Sequence, residues 1–169
     1  MHNENLVFSN PAISDGRFIY DLVVQSNVLD VNSRYAYLLW CSEFGQHSIV
    51  CTKGKTLVGF VNAFRPPDRQ DHLFVWQIAV DERMRGMGLG LRLLCELVDL
   101  PANRDIRFLD AHVGESNEAS AKLFTSFANR KVAPMACEIG FSAADFGPEC
   151  HEQEWLYRIG PFSPSSLKN

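Results

Sequence analysis

The chain has 169 residues, of which 46% are hydrophobic and 21% charged, a composition typical of a soluble globular protein with a real core. Its formal net charge of -4 argues against a nucleic-acid-binding protein, for which a basic stripe is expected. Its five cysteines form no Cys-x-x-Cys pair, so neither a disulfide framework nor a zinc site is predicted. No segment resembles a secretory signal or a membrane span, and we expect a single cytoplasmic domain over residues 1–169 with no membrane partner.

The predicted elements begin with a strand, two helices and a hairpin. In chain order they are the strand Leu6 to Phe8, a helix capped by Ser14, the helix Tyr35 to Phe44, and the strands Ser48 to Lys53 and Thr56 to Phe64. The first helix is indicated by apolar residues on one face, and Gly54 and Lys55 join the two hairpin strands. Residues 27–32 form the loop between the helices.

The second half of the chain alternates strands and helices. Its elements are the buried strand Phe74 to Val80, a helix with Leu91, Leu94, Cys95 and Val98 on one face, the strand Phe108 to Val113, a helix capped by Ser116 that carries Phe124 and Phe127, and the strand Trp155 to Ile159. The signal weakens beyond Asn129, and residues 161–169 are predicted to be a flexible tail. This order predicts an α/β domain with three layers around a mixed sheet.

A loop rich in glycine and arginine, Arg83 to Gly90, lies between the buried strand and the helix that follows it. A helix N-terminus has unpaired N–H groups and positive partial charge, and glycines let the backbone approach a phosphate closely. A P-loop needs Gly-Lys-Ser/Thr and the dinucleotide fingerprint needs G-x-G-x-x-G, whereas Gly86, Gly88 and Gly90 alternate. The loop is therefore predicted to cradle a diphosphate, and an ordinary glycine-rich turn before a helix is the alternative.

The phrase Arg85-x-x-Gly88-x-Gly90 resembles the R/Q-x-x-G-x-G/A loop with which GNAT acetyltransferases grip the pyrophosphate of acetyl-CoA. The resemblance covers residues 56–127 and implies the GNAT fold, a central mixed, mostly antiparallel sheet with helices on both faces. It also implies acetyl-CoA as cosubstrate. No metal is expected, because no spacing of His, Cys or carboxylate residues in the sequence suggests a metal site. The cofactor-binding residues that the resemblance implies are Ile78, Val80, Arg85, Gly86, Met87, Gly88, Leu89, Gly90 and Asn117.

Longer phrases resemble a narrower family, the L-2,4-diaminobutyrate acetyltransferases (EctA) of ectoine biosynthesis. The most specific are Asn32-Ser33-Arg34-Tyr35 and Phe74-Val75-Trp76-Gln77. This resemblance implies that a homodimer transfers acetyl from acetyl-CoA to the 4-amino group of L-2,4-diaminobutyrate. Acetylation of a different small diamine or amino acid is one alternative, and a non-catalytic CoA-binding domain is another.

The acceptor amine must lose a proton before it attacks the thioester, because an alkyl ammonium has a pKa of about 10.4. Glu154 is the preferred base, and His151 is the alternative, although charged clusters of this kind are often solvated faces. The resemblance implies that a main-chain N–H of the strand with Trp76 and Ile78 stabilises the oxyanion. Phe124 stands where GNAT enzymes usually carry a tyrosine acid, which leaves the proton donor to the thiolate open.

The acceptor has two ammonium groups and one carboxylate, so its site requires carboxylates and a hydrogen-bond donor. Asp30, Tyr35, Trp76 and Glu154 are predicted to bind it, and Tyr35 and Trp76 join Glu154 and His151 as catalytic candidates. Each has a structural alternative. Asp30 also suits a helix cap, Tyr35 suits half-buried packing, and Trp76 suits the core.

Overall fold

The computed structural model of this chain describes residues 5–148 and 151–163. The strands are β1 Leu6–Ser9, β2 Ile49–Lys53, β3 Thr56–Phe64, β4 His72–Val80, β5 Phe108–Gly114, β6 Met135–Phe141 and β7 Glu154–Ile159. The α-helices are α1 Gly16–Ser26, α2 Arg34–Glu43, α3 Leu89–Val98 and α4 Glu118–Lys131. β4 and β5 run parallel, whereas β1–β2, β2–β3, β5–β7 and β6–β7 pair antiparallel. The predicted α/β fold with a mixed, mostly antiparallel sheet is therefore confirmed.

The chain forms two compact units, and strand β4 contributes to both. The first unit contains the described residues up to Phe64 together with Trp76–Arg104, and its strands follow the order β1-β2-β3 and then the C-terminal half of β4. The second unit contains Arg65–Val75 and the described residues from Asp105 onward. Its order is the N-terminal half of β4, then β5, β7 and β6, so the last strand of the described residues lies between two earlier ones.

The core of the first unit forms where the apolar faces of α1 and α2 meet the sheet. Its buried members are Ile19, Leu22, Val23, Tyr37, Cys41, Val50, Leu57, Phe60 and Ala79. Successive strand residues face opposite sides, so Gly59 lies on the other face of β3 from Phe60. There it makes room for α3, because a Cβ at Gly59 would lie 2.9 Å from Leu93 Cδ1. Helices therefore cover both faces of this part of the sheet, as predicted.

The core of the second unit forms where α4 packs against β7. Phe124 of α4 stacks on Tyr157 of β7, with ring centroids 6.3 Å apart. Phe127, one turn further along the same helix, meets the ring of Phe162 edge-on at 6.0 Å. Both phenylalanines of α4 are buried, so the predicted apolar face of this helix is confirmed.

Two helix starts differ from the predicted ones by one residue. Ser14 lies in a short 3-10 turn, and Asp15 is the residue directly before α1. Asn117 caps α4 instead of Ser116, because its Oδ1 accepts a hydrogen bond from the Ser120 N–H at 3.0 Å. All of these residues are good cap formers, and the backbone conformation at the helix entry decides which one acts.

The predicted buried face of α3 is confirmed in part. The predicted Leu94 and Val98 are buried, and so are Leu93 and Leu97. Leu91 and Cys95, which were predicted on the same face, are half-buried at its margin. The helix is apolar around most of its circumference, so periodicity alone fixes its orientation weakly. Its contact with Gly59 settles which side faces the sheet.

Strand β6 and the end of the chain are the largest differences from the sequence prediction. β6 was not predicted, because nearly all of its side chains are exposed and pairing with β7, not burial, defines it. The prediction that residues 161–169 form a flexible tail is wrong for the first of them. Phe162 is 5% exposed and its N–H donates to Arg107 O at 2.9 Å, while residues 164–169 lie outside the described chain.

Candidate functional site

Two glycines in the loop between β4 and α3 adopt a left-handed backbone conformation. Gly86 has a φ of 74° and Gly88 a φ of 75°. Nothing lies within 4 Å of the position that a Cβ would take at either residue. Both residues are exposed, so the backbone of this loop faces open space, and an L side chain would be strained here for conformational reasons alone. The loop fits a group that approaches the main chain closely.

Buried Asp81 anchors the start of this loop. Its Oδ1 accepts hydrogen bonds from the backbone N–H and the Nε of Arg83, each at 2.9 Å, and its Oδ2 accepts one from Nη2 at 2.6 Å. These bonds from Arg83 are the main cause that lowers the pKa of Asp81 below its usual value. Arg83 is thus engaged by Asp81, while Arg85 lies exposed two residues further on. This division is compatible with the predicted role of Arg85 toward an anion.

Helix α3 begins at the second of these glycines. Gly88 is the N-cap, and its carbonyl accepts a hydrogen bond from the Arg92 N–H at 3.1 Å. The N–H groups of a first helical turn have no acceptor within the helix and lie at the positive end of its dipole. Leu89 is buried and Gly90 half-buried, so this turn offers its main chain and not its side chains. The predicted loop residues Arg85 to Gly90 therefore meet in one turn that fits a diphosphate.

The side chains of β4 alternate between buried and half-buried. Gln77 and Ala79 are buried, and the predicted Trp76, Ile78 and Val80 are half-buried on the intervening positions. The structure thus leaves the side chains of these three predicted residues partly open.

The indole of Trp76 is held by aromatic side chains of α2. It stacks on Trp40, with centroids 4.2 Å apart and an interplanar angle of 22°, and on Tyr37 at 6.2 Å. Trp40 is itself fixed, because its Nε1 donates to Ser48 Oγ at 3.1 Å. Trp76 therefore belongs to the aromatic packing and remains partly open, and its role toward an acceptor stays a prediction.

The loop between α1 and α2 is attached to β4 by one buried side chain. Gln77 is 5% exposed, and its Nε2 donates to the carbonyl oxygen of Asp30 at 2.9 Å. Ser33, not Asp30, caps α2, since its Oγ accepts from the Ala36 N–H. The alternative that Asp30 is a helix cap is therefore wrong. Tyr35 in the first turn of α2 is 70% exposed, so half-buried packing is wrong for this residue too.

In the second unit, Asn117 caps α4 and Phe124 lies within that helix. The Oδ1 of Asn117 is used as the cap of α4, which fixes the orientation of its side chain. Its contact with a cofactor stays a prediction. Phe124 is 2% exposed and has no group that could donate a proton.

Glu154 and His151 differ in what they contact. Glu154 Oε2 lies 3.4 Å from His112 Nδ1. A half-buried carboxylate beside an imidazole is not a solvated face, so that alternative is wrong for Glu154. The ring of His151 stacks on Phe146 at 3.7 Å, and its Nδ1 lies 2.8 Å from Glu152 O. The structure thus places Glu154 beside His112, whereas His151, the alternative base, lies against Phe146, and the role of each as a base stays a prediction.

His112 was not predicted as a site residue, because a histidine on a strand is usually a satisfied core residue. One signal was available in the sequence: Asp110 and His112 are polar residues at alternate positions of an otherwise apolar strand. Two polar side chains on one face of a buried strand require partners from neighbouring strands. That signal could not identify Glu154 as the partner, since the two residues are far apart in the chain.

Within the part of the chain that the structure describes, no cluster of His, Cys, Asp or Glu side chains could hold a metal ion. Four cysteines there are free thiols, namely Cys41, Cys51, Cys95 and Cys137. Cys150 lies outside the described residues. None of the described helices combines the length and apolar character needed to span a bilayer.

Comparisons with known proteins agree with this geometry. The model of the acetyltransferase (GNAT) family matches residues 17–128. The chain is 43% identical to L-2,4-diaminobutyric acid acetyltransferase from Streptomyces coelicolor over 94% of this chain and 95% of that one. It is 38% identical to the protein of the same name from Marinococcus halophilus, over 95% of this chain and 92% of that one.

A solved structure is also similar over nearly its whole length. It is diaminobutyrate acetyltransferase EctA from Paenibacillus lautus, in complex with its substrate L-2,4-diaminobutyric acid and coenzyme A. The TM-score is 0.91 at 33% sequence identity, and the match covers 97% of this chain and 99% of that one.

Proposed function

We propose that this chain transfers acetyl from acetyl-CoA to the 4-amino group of L-2,4-diaminobutyrate, because it belongs to the L-2,4-diaminobutyric acid acetyltransferases of the GNAT family. The observation that carries this proposal is the exposed loop at the N-terminus of α3, with Gly86 and Gly88 in the left-handed conformation. The relatives that match over most of both chains support the acceptor. We also propose that residues 1–169 act as one GNAT domain.

Acetyl-CoA supplies an activated acetyl thioester, and the chain supplies the groups that hold it. The main-chain N–H groups from Gly86 to Gly90 bind the diphosphate, and the exposed guanidinium of Arg85 adds positive charge. Ile78 and Val80, whose side chains are half-buried on β4, contact the rest of the cosubstrate. Asn117 provides a further contact.

Three residues of the first unit are proposed to recognise the acceptor. The carboxylate of Asp30 pairs with an ammonium group, and Tyr35 donates a hydrogen bond from its exposed phenol. The indole face of Trp76 attracts a cation through its ring quadrupole. The hydrogen bond from Gln77 to Asp30 O fixes the loop in which Asp30 lies.

Glu154 is proposed as the base that removes the ammonium proton, with His151 as the alternative. Its carboxylate is half-buried beside an imidazole, which favours proton transfer over solvation. Buried Phe124 cannot protonate the leaving thiolate. A thiolate whose conjugate thiol has a pKa of about 8.5 can leave without a general acid, so phenylalanine in place of the usual tyrosine is compatible with catalysis.

The test is thiol release from acetyl-CoA with L-2,4-diaminobutyrate, ornithine, lysine and 1,3-diaminopropane, with NMR of the product. We expect turnover with L-2,4-diaminobutyrate and acetyl on its 4-nitrogen. Turnover of another amine alone would show a different acceptor. Binding of acetyl-CoA without turnover of any amine would show a non-catalytic CoA-binding domain.

A substitution at Asp30 separates the acceptor site from the cosubstrate site. Asp30→Asn removes the charge and keeps the size, so the KM for the acceptor should rise far more than the KM for acetyl-CoA. Asp68→Asn is the matched control, because Asp68 is an exposed carboxylate in the turn before β4. Equal effects of Asp30→Asn on both KM values would contradict the role of Asp30.

We also propose that the enzyme works as a cytoplasmic homodimer in ectoine biosynthesis. The exposed apolar side chains of β6 support a second copy as partner, since Ile139 is 59% and Phe141 46% exposed on the last strand of the sheet order. Sedimentation of the chain should give twice the monomer mass, and Ile139→Lys should lower it. A monomeric wild-type chain would contradict the dimer.

A further inference from the structure

The imidazole of His112 is enclosed by neighbouring strands of the second unit. Its ring centroid lies 5.4 Å from that of Phe74 on β4 and 4.3 Å from that of Phe141 on β6. Both neighbours are apolar, so neither strand offers the imidazole a charge there. Nδ1 is buried and makes no hydrogen bond within the described chain. Buried polar atoms without a partner are rare in folded proteins, and each needs a physical explanation.

Glu154 is the charged group that faces His112 from a neighbouring strand, at 3.4 Å from Nδ1. Asp110 lies on the same face of β5, but its oxygens accept hydrogen bonds from Arg158 at 3.1 Å and contact His72 Nδ1 at 2.9 Å. Burial is the main cause that lowers the pKa of His112, against the raising effect of Glu154 and Asp110. The burial thus favours the neutral imidazole, and with its proton on Nε2 this ring has a lone pair on Nδ1 that can accept a proton.

We propose that His112 is the proton acceptor behind Glu154: it takes over the proton that Glu154 removes from the 4-ammonium group of the acceptor. This inference rests on the proposed function. His112 acts through Glu154 and is thus a positioning and relay residue. Its role explains why a buried imidazole nitrogen lies 3.4 Å from a carboxylate.

The step is balanced in protons and electrons. An ammonium N–H bond breaks, the proton moves through the Glu154 carboxylate to His112 Nδ1, and the freed electron pair forms the C–N bond to the acetyl carbon. The C–S bond breaks with its electron pair on sulfur, and the thiolate takes the second proton of the nitrogen. His112 then returns its proton to water.

The protein environment of His112 bears on the transfer from Glu154 in two opposite ways. A free imidazolium has a pKa of about 6.5 and a free glutamic acid one of about 4.3. Burial lowers the pKa of His112 and reduces this difference, while the attraction of the Glu154 carboxylate acts in the opposite direction and favours the imidazolium. The transfer also restores the negative charge of Glu154. That charge attracts the next ammonium group and forms an ion pair with the imidazolium.

The pH dependence of kcat/KM for L-2,4-diaminobutyrate at saturating acetyl-CoA tests the relay. His112→Gln cannot take a proton, so we expect a loss of about tenfold near neutral pH. The loss should shrink above about pH 9.5, where more of the acceptor is already neutral. The KM for acetyl-CoA should not change. A purely structural role would lower activity by the same factor at every pH.

Two further variants keep the relay open to refutation. His72→Gln replaces another buried strand histidine of the same unit, and its pH profile should match that of the wild-type chain. His112→Ala should regain activity in added imidazole. The relay would be overturned if His112→Gln kept the wild-type pH profile, if it lost activity by the same factor at every pH, or if imidazole failed to rescue His112→Ala. Turnover by the wild-type chain would still support the proposed function in each of these cases. If the wild-type chain turns over no diamine, the proposed function fails and the relay fails with it.

Discussion

Replacing Gln77 with methionine tests whether its hydrogen bond from β4 holds the loop that carries Asp30 in position. The change removes the hydrogen bond from Gln77 Nε2 to Asp30 O at 2.9 Å, and keeps an unbranched side chain of similar length. It also removes Oε1, which is buried and finds no partner within the described residues. The two changes have opposite effects on the free energy of unfolding.

The magnitudes decide the expected result. A neutral hydrogen bond contributes about 1 kcal/mol, and a buried polar atom without a partner costs about 1–3 kcal/mol. Removing both from Gln77 should therefore leave the free energy of unfolding unchanged or raise it by up to about 2 kcal/mol. The exposed Asp30 loop loses its attachment, and about 1 kcal/mol of lost positioning corresponds to roughly a fivefold higher KM for the diamine.

Urea denaturation and steady-state kinetics measure the two effects separately. Gln25→Met is the matched control, because Gln25 is exposed on α1 and should change neither quantity. A free energy of unfolding that is more than about 2 kcal/mol lower in Gln77→Met would refute the reasoning on the unpaired oxygen. A KM for the diamine that stays constant, or rises together with the KM for acetyl-CoA, would refute the reasoning on the loop.

Other predictions concern the cap of α2, the glycine loop, the His112 imidazole and the thiols. Ser33→Ala should lower the free energy of unfolding by about 1 kcal/mol in urea, whereas Ser33→Asp should retain most of it. Gly88→Ala meets no neighbouring atom but is strained at a φ of 75°, so it should lower stability by about 1–2 kcal/mol and raise the KM for acetyl-CoA. Folding lowers the pKa of His112, so the unfolded chain binds more protons at this residue than the folded chain does. The free energy of unfolding should therefore fall as the pH drops below about 6.5. Thermal scans of His112→Phe should lack this contribution to the pH dependence. Burial raises the pKa of Cys41 to about 11, so peptide mass spectrometry should find exposed Cys137 alkylated long before Cys41, and the reverse order would contradict the fold.

Sequence patterns were sufficient where neighbours in the chain are also neighbours in space. The residues from Arg85 to Gly90 form their turn locally, so spacing and glycine content predicted both the loop and the helix after it. The buried strand β4 was predicted from its apolar run, two residues short at its start. The order of strands and helices then indicated the α/β class.

Long-range pairing could not be predicted in the same way. His112 meets Glu154 only because β5 and β7 pair in a register that places Gly114 opposite Glu154. The attachment of Asp30 to Gln77 likewise joins a loop to a distant strand. Residues such as Ser33 and Asp30 are equally good caps by composition, and only the backbone entering α2 selects the serine. The acceptor-site roles therefore depended on resemblance and not on spacing.

The position of β7 between β5 and β6 has a consequence for the order in which the chain acquires its structure during synthesis. β7 pairs with both of these strands, and it is translated after both. Until the ribosome has released residues 154–159, β6 has no strand to pair with and β5 lacks its antiparallel neighbour. The first unit, by contrast, has all its strands by Val80. Pairing within the second unit is therefore expected to wait until β7 has been synthesised, whereas the strands of the first unit can pair earlier.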